Sequence, residues 1–156
     1  MNPLEKYIYD DIYINIDEIP KDVIRNAFIY FGHKVDDDFV YGIKMVTTDY
    51  KDMYGINTYV SGKEYEYIDD LSDEGELKRF NSFSVYRSYV GIYSGGAGLW
   101  SSRYHRDTLD IINENKKTRL CIPIIVKYPI QEAIPEFYSI KGRKMIVVDT
   151  NPILNF

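Results

Sequence analysis

An α+β fold, with a mixed or mainly antiparallel sheet and two main helices in one domain over residues 1–156, is the class this sequence predicts. Three features lead there: short stretches of period-two alternation, two apolar stripes at helical spacing, and more hairpin-like connections than helical crossovers. A length of 156 residues is enough to bury one real core. The 45% hydrophobic and 28% charged fractions lie far from the composition of chains that stay disordered.

Taken in order, residues 7–16 read Tyr-Ile-Tyr-Asp-Asp-Ile-Tyr-Ile-Asn-Ile, and Ile12, Ile14 and Ile16 share one parity as a half-buried strand requires. Asp17 is placed to cap a helix whose first turn tolerates Pro20. Its apolar stripe is Ile19, Val23, Ile24, Ala27, Phe28 and Phe31, and Gly32 supplies the stop. Residues 39–48 predict a second strand, and residues 58–60 and 65–67 flank Ser61-Gly62-Lys63-Glu64 as a hairpin. An acidic stretch over 69–76 leads into a short helix at about 73–80, capped by Ser72 and weakened by Gly75.

Residues 83–93 alternate again, with Phe83, Val85, Tyr89 and Tyr93 beside Arg87, until Gly95, Gly96 and Gly98 break the pattern. From Ser101 or Ser102 a second helix is expected to run to about Asn115, burying His105, Leu109 and Ile112. Lys116 and Lys117 suit its negative end. Residues 119–128 hold the most apolar run, where Pro123 argues for an edge or a bulge. Residues 137–140 and 144–149 flank Lys141-Gly142-Arg143 as a second hairpin.

The net charge of −5 comes with no basic run longer than Lys116-Lys117, so a nucleic-acid partner is not expected. Cys121 is the sole cysteine, which excludes an intrachain disulfide, and its apolar strand predicts a core role. The first residues lack the basic and apolar regions of a leader, and no apolar run approaches the roughly 20 residues that cross a bilayer. A cytoplasmic protein without membrane contact is the expectation.

Chemistry-bearing spacings are sparse. His33 and His105 are the two histidines and form no pair at metal-ligand spacing, while Asp36-Asp37-Asp38 reads as a solvated turn. The stretch from Tyr93 to Ser102 sets three glycines and the sole tryptophan, Trp100, between two elements without a phosphate-loop or dinucleotide fingerprint. It predicts a tight connector or a contact tip, and a small-molecule trap built on Gly95, Gly96 and Gly98 is a further alternative. No nucleophile elbow is present, and neither a cofactor nor a metal is expected.

Tyr86-Arg87, then Leu99-Trp100-Ser101-Ser102, then the segment from Glu136 through Lys141-Gly142-Arg143 to Val147 form three pieces in chain order. Together they resemble the ADP-ribosyltransferases of the arginine-serine-glutamate type. The resemblance implies NAD as substrate, with Arg87 on its diphosphate, Ser101 on the nicotinamide ribose and Glu136 at the oxocarbenium-like centre. The chain departs from that pattern in its short Arg87-to-Ser101 interval, in Ser-Ser for Ser-Thr-Ser, and in Ile134 two residues before Glu136.

Tyrosine is the compositional outlier, with 16 copies against seven phenylalanines, and tyrosine combines contact area with few rotors and a polar tip. The leading expectation is therefore a non-enzymatic protein that binds protein, either a partner or its own copies as a homo-oligomer. Trp100, Tyr93, Tyr89 and Tyr104 are the expected contact residues. The size and composition suit a phage or mobile-element product, such as a virion connector or an inhibitor of a host defence factor.

Overall fold

The computed structural model describes residues 3–9, 13–14, 16–51, 57–66, 99–115, 122–135 and 138–154. The expected helix at 73–80, the strand at 83–93, the glycine run, and Arg87, Tyr89, Tyr93, Cys121 and Glu136 lie outside these residues.

Strands β1 (Ile8–Tyr9) and β2 (Tyr13–Ile14) make a small antiparallel pair. The remaining strands are β3 (Lys34–Val35), β4 (Phe39–Val46), β5 (Glu64–Glu66), β6 (Leu99–Arg103), β7 (Ile122–Pro129), β8 (Ala133–Pro135), β9 (Ser139–Gly142) and β10 (Lys144–Asp149). They form one sheet in the order β5-β10-β7-β4-β6-β9-β8, with β3 added to β4. Every pairing among the described strands is antiparallel. Helix α1 (Lys21–Tyr30) spans 10 residues and α2 (Thr108–Asn115) spans 8. The α+β class with a mainly antiparallel sheet holds, but only α1 has the length expected of a main helix.

Antiparallel partners share a face, so the register Val40↔Tyr128 and Gly42↔Val126 puts Val40, Ile124, Val126 and Tyr128 on one side of the sheet. That side is the core face. With Ile24, Ala27 and Phe28 of α1, and with Leu4, Ile16 and Met145, these residues join one buried cluster. Ile43 has the opposite parity, and it and Ile112 of α2 are buried outside that cluster, with α2 touching β4. Gly32 ends α1 at φ +78°, where the amide of His33 donates to the Phe28 carbonyl at 2.9 Å, so the expected glycine stop holds.

Several expectations are corrected. The expected strand over 7–16 is divided: β2 ends at Ile14, and Ile16–Glu18 is a 3-10 turn. Pro20 occupies the cap position of α1, while Asp17 is exposed and pairs with Arg143 at 2.8 Å instead of capping. Ser101 and Ser102 belong to strand β6 rather than to a helix, and α2 begins only at Thr108, whose hydroxyl donates to the Arg103 carbonyl at 2.7 Å. His105 thus precedes the helix and is exposed, Leu109 in its first turn is exposed as well, and only Ile112 of the three is buried.

Neither expected hairpin is a ladder. Thr58 bridges Lys51, and β5 pairs with β10; only the turn at Gly62, φ +86°, remains of the first hairpin. Strand β9 pairs with β6 and β8, whereas β10 pairs with β7 and β5. Gly142 is thus a strand residue. A Cβ there would lie 2.5 Å from Tyr128 Cδ2, so glycine permits close packing and does not mark a turn.

Pro123 sits in a central strand, since β7 lies between β4 and β10. It is tolerated because β10's pairing with β7 ends at Asp149↔Ile125, two residues short of Pro123, and no β10 partner there needs the missing N–H. The bulge falls on β10, between Val147 and Asp149, and not on β7.

Candidate functional site

Strands β4 and β6 pair through Gly42↔Arg103 and Ile43↔Ser102, and there their register ends. Beyond that point the Lys44 ammonium reaches across and donates to the Trp100 carbonyl at 2.6 Å. A cleft of about 300 Å³ opens at this seam, lined by Ile43, Lys44 and Met45 from β4 and by Trp100, Ser101 and Ser102 from β6. Ser139, which faces Ser102 across the β6–β9 pair, closes its end. Consecutive residues of each strand line the cleft, so it lies along the seam rather than on one face.

Alternation places Trp100 and Ser102 on one side of β6, and Ser101 and Arg103 on the other; Tyr104, just past the end of β6, stands with Tyr41 on the Ser102 side, under the same lysine, Lys34. Trp100 and Lys141 are direct cross-strand partners, and the Lys141 ammonium, on a fully buried side chain, is 5.9 Å from the indole centroid. Tyr104 donates its amide to the Tyr41 carbonyl at 3.3 Å, and the Lys34 ammonium stands 4.6 Å from the Tyr104 ring and 5.8 Å from the Tyr41 ring. On the same parity of β4, Lys127 lies 4.0 Å from the Phe39 ring. This side of the sheet thus carries half-buried aromatic rings, each with a lysine over it.

On the opposite parity, Ser101 is 6% exposed and its hydroxyl has no hydrogen-bond partner. A Cβ at Gly42 would come within 2.2 Å of that oxygen, so glycine is what leaves room for Ser101. Arg103 points toward α1, donating from Nη1 to the Phe31 carbonyl and from Nη2 to Asp107. Its guanidinium also lies 5.1 Å from the Tyr138 ring. Burial pulls the Asp107 carboxyl upward, but Arg103, and then His105 at 2.8 Å, outweigh it and hold the carboxyl below its ordinary value.

Of the expected contact residues, Trp100 and Tyr104 share a face, while Tyr89 and Tyr93 lie outside the described residues. Of the three residues implied by the transferase resemblance, only Ser101 is described. It stands on strand β6, with its side chain on the Arg103 side. His33 is buried and meets Phe28 edge-on at 5.2 Å, so it is not part of a solvated turn. The Asp36 carboxylate does organise such a turn, accepting the amides of Asp38 and Phe39 at 2.9 and 2.8 Å and the Tyr41 hydroxyl at 2.6 Å. Among the described residues no group of three acidic, histidine or cysteine side chains could hold a metal, and no helix is long and apolar enough to cross a membrane.

Sequence reading missed Lys44, Met45, Ser102 and Ser139. Their one local signal is Lys44, a charge at the parity of Val40, Gly42 and Val46, which is the core side of β4. Set beside known proteins, the chain matches no family model, no curated protein and no solved structure. The functional reading therefore rests on the cleft and the aromatic face.

Proposed function

We propose that this chain works by binding protein, its own copies included, through the sheet face that carries Trp100 and Tyr104. The observation behind this reading is that Trp100 on β6 and Tyr104 just beyond its end lie on one side of the sheet, next to a cleft of about 300 Å³. Protein contact surfaces concentrate tryptophan, tyrosine and pre-positioned cations, and a partner side chain seated in an adjoining cleft would anchor the contact. The lysines over Trp100, Tyr41 and Tyr104 hold those rings in place before contact, which lowers the ordering cost of association. A cytoplasmic assembly component or an inhibitor of a host factor would use such a surface.

The test is sedimentation of the wild type, Trp100→Ala and Tyr104→Ala over a concentration series, alone and with lysate of the expressing cell. Both variants are expected to keep a cooperative thermal transition and lose association. Association that survives both substitutions refutes the reading.

A second reading, transfer of ADP-ribose from NAD, is supported by the placement of Trp100-Ser101-Ser102 on a strand. Labelled NAD with lysate, run with Glu136→Gln, decides it. Label transfer that disappears in the variant would replace the first reading.

A further inference from the structure

We draw no further inference here: the strongest candidate, the surface patch of exposed Val60, Val148 and Ile153 where the Gly62 turn is tied to the end of β10 by the Ser61–Thr150 hydrogen bonds, carries nothing because nothing in the structure shows what covers it.

Discussion

The Arg103 guanidinium donates through Nη1 to the main-chain carbonyl of Phe31, so β6 is tied by a buried charge to the C-terminal end of α1. The same side chain holds Asp107 at the start of α2, and Gly32 lets it approach, since a Cβ there would lie 2.9 Å from Nη1. A cation at a helix C-terminus also meets the carbonyl end of the helix dipole. Arg103→Met should therefore cost about 2–4 kcal/mol in urea denaturation. Arg103→Lys should recover less than half of that, because an ammonium cannot reproduce the fork. A loss below about 1 kcal/mol for the Met variant would show that the tie is not structural.

The Asp36–Tyr41 bond predicts a stability window in pH. The Tyr41 hydroxyl, against an upward pull from burial and with help from the amides of Asp38 and Phe39, holds the Asp36 carboxyl below its ordinary 3.8. The same bond, followed by burial, pushes the Tyr41 hydroxyl from 10.0 up to about 12. A depressed acid contributes stability above its unfolded value and loses it as pH falls through the folded one. A raised phenol contributes below its unfolded value and loses it as pH rises through the folded one. The stability gap between wild type and Tyr41→Phe should then form a plateau from about pH 4 to 10 and close on both sides. Urea midpoints across that range check it; a gap that ignores pH would contradict the assignment.

Gly42→Ala should be costly although the residue lies in a strand, where alanine is ordinarily the better choice. The added carbon would sit 2.2 Å from Ser101 Oγ and 2.6 Å from the Ser102 carbonyl oxygen. A loss of about 1–3 kcal/mol is expected, with β4 pushed from β6. Adding Ser101→Gly should restore only part of it, because the Ser102 contact is backbone. A double-mutant cycle in urea gives the coupling, and full recovery would place the whole clash on Ser101.

Arg143 bridges elements distant in sequence, donating from Nε to Glu132 at 2.9 Å and through its fork to Asp17 at 2.8 and 3.2 Å. Arg143→Ala should cost about 1–2 kcal/mol. Asp17→Asn should cost less, because Asp17 is 63% exposed and its pair is screened by solvent. Thermal melts at low and high salt test the ranking, and an equal cost for both would reverse it.

Helix α1 was legible because its stripe and its stop agree: Ile24, Ala27 and Phe28 are buried and Gly32 takes positive φ. Strand β4 was legible through the parity of Val40 and Val46. Strand β6 was not, because Ser101-Ser102 after a glycine run has the same local pattern as a helix cap, and only pairing with Ile140 and Ser139 makes it a strand. Gly142 likewise resembles a turn residue until the Tyr128 ring is packed over it. The cleft was illegible for the same reason. Lys44, Trp100 and Ser139 meet through three strands whose order no local pattern encodes.

Sedimentation velocity of the labelled chain in lysate of the expressing cell tests the protein-contact reading most directly. Wild type should sediment well above its 18.3 kDa monomer, while folded Trp100→Ala sediments as the monomer. Identical sedimentation of the two would contradict a contact made through this face.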